Sequence, residues 1–305
     1  MTATLTVTDL VKSYGAVQAV RGLSFAVAPG EIFGLLGPNG AGKTTTIECL
    51  IGLRDADGGS ITICGHDLRR EGDAVRERIG VQLQATALPE RITVREALQL
   101  FASFYAKRAA PEALLARFSL TDKATARFET LSGGQKQRLA MALAMVNEPE
   151  VLFLDEPTAA LDPQARRELH EAIRGVKAAG RSVLLSTHYI DEAELLCDRV
   201  AIVDHGRIIA LDTPANLIAG TSASTRVAFT TAAPLAADAV RALEGVSGVS
   251  ADGRATVLAS AAPNRTIIAL VHLIESSGGE LVDLQIRKPS LEDVFIQLTG
   301  RALRD

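Results

Sequence analysis

The stretch Gly37 to Thr45 reads GPNGAGKTT and constrains the fold more than any other part of the chain. An apolar run of strand length, residues 31 to 36, precedes it, and residues 46 to 53 have helical periodicity. Glycines between a strand and a helix let the backbone curl until successive N–H groups point inward, where the helix N-terminus adds partial positive charge. The segment therefore predicts a phosphate-binding loop in an α/β fold, rather than an incidental glycine-rich turn.

Every residue of this loop is a candidate nucleotide contact. Lys43 supplies a point charge for the β- and γ-phosphates, and Thr44 offers a hydroxyl to Mg²⁺, a hard ion that suits an oxygen ligand. The nucleotide-binding residues predicted here are Gly37, Pro38, Asn39, Gly40, Ala41, Gly42, Lys43, Thr44 and Thr45.

Composition narrows the classes of protein that fit. The 305 residues suit one domain of about 200 residues and a smaller one. Lys+Arg 32 and Asp+Glu 36 give 32 − 36 = −4, which argues against a nucleic-acid backbone as the main partner. Three scattered cysteines fit a reducing compartment. The chain begins without a secretion-signal pattern, and its apolar runs fall short of the roughly 18 residues that a membrane-spanning helix needs.

The pattern of elements predicts a mostly parallel sheet with an insertion. Residues 3 to 28 are predicted to be β-rich, with separate strands over residues 16 to 23 and 24 to 28. Residues 151 to 155 form a buried strand that ends in a carboxylate, where α/β sheets place ligands. A helical insertion of about residues 85 to 130 begins with a Thr93 capping box. Alternating strands and helices imply parallel pairing.

The last part of the chain predicts a second, smaller domain. Composition shifts to small and polar residues near residues 220 to 225, so we predict domains at 1 to 220 and 221 to 305. Beyond the shift, strands and helices are predicted in the order β-α-β-β-α-β, which is the ferredoxin-like arrangement. A last helix is predicted to open at Ser290, where Asp293 favours its N-terminus.

Two further motifs make the pattern specific. Residues 131 to 135 read LSGGQ, and Asp155 is followed directly by Glu156. With the phosphate loop, and in this order, they resemble the ATP-binding cassette of the ABC ATPases over residues 4 to about 220. The resemblance implies an α/β P-loop cassette with a mostly parallel sheet, an antiparallel β subdomain and a helical insertion, beside the small α+β domain. It also implies hydrolysis of ATP with Mg²⁺.

The resemblance assigns roles to single residues. Asp155 and Gln84 would join Thr44 as metal ligands, Gln84 as the amide that bridges Mg²⁺ or water. Glu156 would orient the attacking water, and His188 would contact the γ-phosphate. The catalytic residues so predicted are Lys43, Gln84, Glu156 and His188. Each of these four residues also has a plainer interpretation. Asp155 would be a carboxylate at a strand end, Glu156 an acid in a loop, Gln84 a polar residue at a strand end and His188 a lone histidine.

An aromatic residue near the start of the chain completes the assignment of the nucleotide site. Tyr14 corresponds to the residue that stacks on adenine in the family, and such stacking contributes about 1 to 3 kcal/mol per base elsewhere. Stacking says little about the identity of the base, so GTP stays an alternative to ATP.

The LSGGQ segment predicts a second anion site. Gly133 and Gly134 expose backbone N–H groups at the start of a helix, and in the family this site closes over the γ-phosphate bound to the opposite subunit. The predicted contacts are Ser132, Gly133, Gly134 and Gln135. One phosphate loop and one LSGGQ segment imply a head-to-tail homodimer. Residues 160 to 162 match the loop that crosses its interface, although Asp162 is also a good helix cap.

The same resemblance implies a transporter. The ATPase would pair with an integral-membrane permease and lie peripherally on the cytoplasmic face of the membrane. Residues 289 to 301 resemble the end of bacterial drug-resistance exporter ATPases of the daunorubicin and doxorubicin type, which favours export of a drug-like or lipophilic compound; an amphipathic helix sealing the small domain is the plainer interpretation. An importer ATPase, and a soluble ABC ATPase acting on nucleic acid or ribosomes, stay alternatives. The paired cassettes, long coiled coil or zinc-binding cysteines usual in the soluble class are not visible in the sequence.

Overall fold

A computed structural model describes residues 3–84, 87–159, 161–221, 223–252 and 255–301. The chain divides into two compact units, the first running through Pro214 and the second beginning at Ala215. The domain boundary predicted from composition, between residues 220 and 221, lies a few residues later. Among the described ranges, none of the helices has the length and apolar character required to span a bilayer.

The first unit contains most of the helices and strands. In chain order these are β1 (Leu5–Tyr14), β2 (Val17–Val27), β3 (Ile32–Leu36), α1 (Lys43–Leu50), β4 (Gly58–Ile63), β5 (His66–Asp67), α2 (Gly72–Arg76), β6 (Ile79–Gln82), α3 (Val94–Ala102), α4 (Pro111–Arg117), α5 (Gly133–Ala144), β7 (Val151–Asp155), α6 (Pro163–Ala178), β8 (Ser182–Thr187), α7 (Ile190–Leu196), β9 (Arg199–Asp204), β10 (Arg207–Asp212) and, at the boundary, α8 (Pro214–Ala219).

A six-stranded sheet forms the centre of this unit, in the order β10-β9-β3-β8-β7-β6. All of its pairs are parallel except β10 with β9, in agreement with the alternating sequence pattern. Register brings Leu36 beside Thr187, and Asp155 beside Ser186. Because parallel strands end at the same edge, the residues that follow β3, β7 and β8 meet there.

A second, antiparallel sheet in the order β2-β1-β4-β5 supplies the predicted β subdomain. The prediction of separate strands over 16–23 and 24–28 is wrong, because β2 runs unbroken through Gly22. Leu10 pairs with Leu23 and Val11 with Arg21, so Gly22, at φ 78°, is the extra residue of a β-bulge. Glycine adopts this left-handed conformation without a Cβ clash, which lets the ladder continue past it.

The core of the first unit joins the two sheets. Phe25 of β2 stacks on Phe33 of β3, with ring centroids 5.1 Å apart and planes 9° from parallel. Such a pair contributes about 0.5 to 1.5 kcal/mol beyond the burial of its area. The antiparallel sheet is thereby packed against the strand that leads into the phosphate loop.

The helical insertion begins as predicted. Thr93 and Glu96 form a capping box, in which Glu96 N donates to Thr93 Oγ1 (3.3 Å) and Thr93 N donates to Glu96 Oε2 (2.9 Å). The insertion continues through α4 and two short 3₁₀ turns at residues 121–123 and 128–130. Residues 85 and 86, at its predicted beginning, lie outside the described residues. Helix α5 starts at Gly133, where the sequence predicts the start of a helix, and Ser132 caps it.

The second unit has its own sheet and core. Its elements are β11 (Thr225–Thr231), α9 (Ala237–Arg241), β12 (Val246–Asp252), β13 (Ala255–Ser260), α10 (Pro263–Ser276), β14 (Leu281–Arg287) and α11 (Leu291–Thr299). The sheet order is β12-β13-β11-β14, with every pair antiparallel. The first six elements follow the predicted β-α-β-β-α-β order, and Ser290 caps α11 as predicted, in a capping box with Asp293. Six buried residues form the centre of its core: Val227, Phe229, Val240, Leu258, Leu270 and Ile274.

Candidate nucleotide-binding site

The phosphate loop lies between β3 and α1, and two of its glycines are required by close backbone approach. A Cβ at Gly42, whose φ is 102°, would lie 2.4 Å from Ala19 O, and a Cβ at Gly37 would lie 2.2 Å from Val203 O. Within the described residues no side chain caps α1, and its first turn contains no acidic residue. The amide groups at this helix start are therefore available to an anion.

Lys43 is buried within this loop, with 3 % of its surface exposed. Its Nζ donates to Gly37 O (2.7 Å) and Pro38 O (3.1 Å), and it lies 3.4 Å from Glu156 Oε1. Burial lowers the pKa of Lys43, while the nearby carboxylates of Glu156 and Asp155 counteract that effect. The ammonium group is thus held against the loop that would receive a phosphate.

Asp155 and Thr44 bring two oxygen ligands together at the end of β7. Asp155 Oδ1 accepts hydrogen bonds from Ser186 Oγ (2.5 Å) and Thr44 Oγ1 (3.2 Å). Burial raises the pKa of Asp155, and the hydrogen bonds from Ser186 and Thr44 work against that rise. A carboxylate and a hydroxyl beside a phosphate loop fit Mg²⁺.

A metal held by protein groups alone is a different kind of site. Across the described part of the chain, no group of three or more His, Cys, Asp or Glu side chains is arranged to hold a metal ion. A Mg²⁺ ion that arrives with a nucleotide needs only one or two protein oxygens, because phosphates and water complete its octahedron. The pair formed by Thr44 and Asp155 meets that smaller requirement.

Glu156 links the loop to the end of β8. Its backbone N–H donates to Ser186 Oγ (3.1 Å), and its carboxylate Oε1 lies 3.2 Å from His188 Nδ1 as well as 3.4 Å from Lys43 Nζ. Glu156 adopts φ 46°, a left-handed conformation that costs a non-glycine residue about 1 to 2 kcal/mol. A strained backbone conformation of this kind persists only where the surrounding structure fixes it, and it is common at functional sites.

A cavity of about 460 Å³ joins most of the predicted nucleotide contacts. Tyr14, exposed over 41 % of its surface, lines this cavity, and the Arg54 guanidinium lies 5.4 Å from its ring centroid. Gln84 lines the same cavity. The full lining consists of Tyr14, Ala19, Asn39, Gly40, Gly42, Lys43, Thr44, Thr45, Gln84 and Glu156. Asp155 and His188 contact this group through Thr44 and Glu156.

The LSGGQ residues are not part of that cavity. Ser132 and Gln135 form a capping box at the start of α5: Gln135 N donates to Ser132 Oγ (3.3 Å), and Ser132 N donates to Gln135 Oε1 (2.9 Å). Ser132 and Gly133 are exposed, and a Cβ at Gly133 would meet open space. Gly133 is the first residue of α5, and Gly134 follows it. The structure therefore gathers one predicted anion site around Lys43 and leaves the other on the surface.

Asp162 is a helix cap in this structure. Its Oδ1 accepts from the backbone N–H groups of Gln164 and Ala165, both at 2.9 Å, and Pro163 is the first residue of α6. The interpretation of Asp162 as a helix cap is confirmed. Its second possible role, in a loop that crosses a dimer interface, stays a prediction, and Ala160 of that segment lies outside the described residues.

Two residues of the site were missed from the sequence. Ser186 donates to Asp155 and accepts from Glu156 N, yet only the pairing of β7 with β8 brings it there. Tyr189 packs against His188 with ring centroids 4.1 Å apart and ring planes 41° from parallel, and the Tyr189 ring lies 4.5 Å from the Arg166 guanidinium. The only sequence signal for either was proximity to His188.

Comparison with known proteins agrees with this geometry. The family model described as "ABC transporter" matches residues 20–159. The Nod factor export ATP-binding protein I of Paraburkholderia xenovorans is 42% identical over 300 residues, which cover 96% of this chain and 96% of that protein. The daunorubicin resistance ATP-binding protein DrrA3 of Streptomyces coeruleorubidus is 40% identical and covers 97% of this chain and 96% of its own length. The linearmycin resistance ATP-binding protein LnrL of Bacillus subtilis is 36% identical over 97% of this chain and 98% of its own length.

Solved structures give the same result for the fold. An ATP-binding subunit of an ABC transporter has a TM-score of 0.65 and 34% identity, over 71% of this chain and 92% of that one. A dimeric ATP-binding cassette in a post-hydrolysis state, bound to ADP and Pi, has a TM-score of 0.63 at 24% identity over 68% of this chain and 98% of that one, which shows a shared fold alone. The resemblance inferred from the motifs is confirmed.

Proposed function

The chain belongs to the ABC transporter family as an ATPase subunit, and from that premise we propose that it energises export of a drug-like or lipophilic compound through a separate membrane permease. The observation that carries the proposal is the division of the two anion sites. Lys43 and Glu156 share one cavity, whereas Ser132 lies outside it. A second copy is needed to complete the site, and closing and opening of that dimer is the motion delivered to the permease.

Within one chain, each buried group has a distinct task. Lys43 binds the β- and γ-phosphates, and the amides at the start of α1 add to that charge. Glu156 accepts a hydrogen bond from the attacking water and orients it, and His188, 3.2 Å from the same carboxylate, contacts the γ-phosphate. ATP must separate Glu156 from Lys43, because the phosphates compete for the ammonium group. Tyr14 stacks on the base, with ATP as the nucleotide.

Thr44, Asp155 and Gln84 would hold Mg²⁺. When bound, the ion neutralises charge on the phosphates and polarises the bond to be broken. Asp155 is prepared for this because Ser186 and Thr44 already orient its Oδ1. Ser186 also accepts from Glu156 N, so a single hydroxyl positions both carboxylates.

The second copy contributes its LSGGQ segment in a head-to-tail homodimer. Ser132 Oγ accepts a hydrogen bond from Gln135 N, but a hydroxyl also donates, and that donor is left for a γ-phosphate. Gly133 and Gly134 add exposed backbone N–H groups. The γ-phosphate thereby favours the closed dimer, and its loss on hydrolysis removes that preference.

An apolar groove of about 470 Å³ in the first unit is the proposed docking site for the permease. Leu53, Leu83, Leu88, Phe101 and Tyr105 are among its lining residues, which come from the end of α1, the segment after β6 and the helical insertion. Leu83 precedes Gln84 directly, so the groove and the nucleotide cavity meet at one segment. The ATPase would then be held peripherally on the cytoplasmic face of the membrane.

A substitution in this groove tests the proposal. Leu53→Glu places a charge on a groove residue that is 60% exposed, and Leu195→Glu does the same on α7, outside the groove, at 56% exposure. We expect Leu53→Glu to release the chain from washed membranes of its own cells and to abolish ATP-dependent export, while ATP binding by the isolated chain is kept. Leu195→Glu should stay membrane-bound. Equal retention of both variants would contradict docking through the groove.

Export is favoured over the importer and soluble alternatives because the relatives reported above are named for Nod factor export or for daunorubicin and linearmycin resistance. A gene for a membrane protein beside this one would support the proposal, whereas a gene for a substrate-binding protein would support import. Retention on nucleic acid that is sensitive to salt would support the soluble class. The second unit is proposed to be a ferredoxin-like accessory domain.

A further inference from the structure

The sheet of the second unit has two edges of different character. Strand β12 has a register shift between Val246 and Gly248, and none of its residues, all of which are described, is an exposed large hydrophobic one. Strand β14, at the other edge, exposes Val282 (65%) and Ile286 (51%). Natural sheets usually protect their edges with bulges, glycines or charges. Strand β14 has charged residues too, at Asp283 and Arg287, but it also exposes two large apolar ones.

We propose that the outer edge of β14 is a homotypic interface, which pairs antiparallel with β14 of a second copy about a two-fold axis at Gln285. The strand pairs with β11 in regular register from Asp283 to Arg287, and its one register shift precedes Asp283. Those five residues offer a continuous row of backbone groups on the outer side. Among the described residues no strand pairs with that side.

The side chains are self-complementary about Gln285. Antiparallel pairing there places Asp283 opposite Arg287 of the second copy, and by symmetry Arg287 opposite Asp283. Within one chain Gln285 Nε2 donates to Asp283 Oδ2 (3.0 Å), and Arg287 pairs with Glu292. In the pair of strands Gln285 also faces its own counterpart, and two amides can donate to and accept from each other. No like charges face each other in this register. Opposite-charge pairs that face each other across two strands stabilise their pairing.

The other face of the strand is apolar in the same register. Leu284 packs against the core of the second unit, and Ile286 follows on the same side of the strand with half its surface exposed. Pairing about Gln285 places Leu284 opposite Ile286 of the second copy, and Ile286 opposite Leu284. The exposed edge of the core is thereby extended across the two copies, and its apolar surface is removed from water.

Such pairing is closed at two copies, because each chain has one β14 edge and the axis relates it to itself. It also needs no nucleotide, since every contributing residue lies in the second unit. The inference goes beyond the ATP-dependent dimer and does not depend on it. Loss of one association would leave the other intact, and the two are distinguished by adding or omitting ATP.

Charge reversal of the full-length chain without nucleotide tests the interface. Asp283→Arg, and separately Arg287→Asp, turns both cross-strand ion pairs into like-charge pairs, so each variant should associate about tenfold or more weakly than the unaltered chain in sedimentation equilibrium. An equimolar mixture of the two should regain association, because each chain then meets the opposite charge. Ile268→Lys alters an equally exposed residue of α10 (59%) away from the edge and should associate normally. A mixture that stays as monomeric as its components would overturn the proposal.

Cross-linking tests the register directly. Gln285→Cys lies on the proposed axis, so its thiol should form a disulfide with its own counterpart under mild oxidation without ATP. Ser250→Cys, exposed on β12 at the opposite edge, should not. Equal cross-linking of both variants would indicate random collision, and absence of the Gln285→Cys dimer would exclude pairing about that residue; either result overturns the proposal.

Discussion

Helices α1 and α5 each begin at a glycine-rich segment that can bind an anion, yet their surroundings differ. Among the described residues no side chain caps the start of α1, whose first residue is the buried Lys43, with Glu156 Oε1 3.4 Å from the Lys43 ammonium. The start of α5 is capped by Ser132 and Gln135, and Ser132 and Gly133 are exposed. A helix start with side-chain caps satisfies its own donors, whereas one without them depends on a ligand.

The difference indicates how each segment is used. Around α1, charge and donors are held in place before any ligand arrives, and the arrangement is strained at Glu156. Around α5, the local structure is stable by itself and presents the Ser132 hydroxyl and Gly133 outward, while Gly134 is half-buried beside Ala165. In the function proposed above, one chain therefore supplies the first half of a phosphate site, and its LSGGQ segment supplies the second half to another copy. Five predictions test this comparison and the charges around it.

Lys43→Ala should have the largest effect. Removing the buried charge from the loop should lower ATP turnover about 100-fold or more, measured as phosphate release, because the charge acts on the phosphates in a water-poor site. Lys123→Ala, on the exposed 3₁₀ turn at residues 121–123, is the matched control and should leave turnover unchanged. Unchanged phosphate release by Lys43→Ala would mean that the α1 segment is not the phosphate site.

With ATP bound, Glu156→Gln should keep the phosphate loop of one copy closed on the LSGGQ segment of the other. The amide keeps the shape of the side chain but orients water poorly, so turnover should fall about 100-fold while ATP binding is retained. In the Asp283→Arg background, which weakens the nucleotide-independent association through β14, the variant should elute from size exclusion as a closed dimer in ATP and Mg²⁺ and as a monomer in ADP. A chain that stays monomeric with ATP would separate nucleotide binding from dimer closure and would contradict the shared site.

A mixture of two inactive variants tests the sharing itself. Lys43→Ala and Ser132→Ala should each lower turnover, but a mixed dimer contains one site with an intact lysine loop and an intact serine. If that site works alone, an equimolar mixture should regain about a quarter of normal turnover, since half of the dimers are mixed and each has one of two sites. Turnover equal to the average of the separate variants would show that each chain is self-sufficient.

The smallest expected effect concerns the burial of Asp155. Because burial raises its pKa above the unfolded value, the ionised carboxylate disfavours the folded state, and this cost disappears as the pH falls through the folded pKa. Without nucleotide, Asp155→Asn should therefore raise the free energy of unfolding at pH 7, and the gain should shrink as the pH is lowered toward about 4, near the unfolded pKa of aspartate. Urea titrations at several pH values measure it.

For Asp57 the effect of ionisation on the free energy of unfolding has the opposite sign. A hydrogen bond from the Lys12 side chain, and one from Ser13 N, lower the pKa of Asp57, so its ionised form stabilises the fold above the unfolded pKa and loses that effect as the pH falls. Asp57→Asn should lower the free energy of unfolding at pH 7 and have less effect in acid. The same pH trend for both variants would show that the change of residue, and not its ionisation, determines the result.

Local signals allowed the sequence to determine the helix starts and the identity of the motifs. Thr93 with Glu96, Ser290 with Asp293, and Asp162 before Pro163 all cap helices where predicted, because a cap depends on residues within one turn. The phosphate loop and LSGGQ were likewise readable, since close backbone approach leaves room only for glycine at Gly37 and Gly42. Membership of the ABC transporter family followed from these segments.

Contacts between distant segments were decided only by the tertiary structure. Ser186 contacts Asp155 and Glu156 because β8 pairs with β7. The residues near 186 in the sequence do not indicate that β7 is the neighbouring strand. Gly22 lies in a β-bulge within β2 and does not end the strand, because the pairing of β2 with β1, and not the local sequence, fixes the register of β2. The sequence thus determined which chemical groups this ATPase carries. Strand pairing, which acts over long separations and satisfies backbone donors regardless of side chain, decided which of them meet.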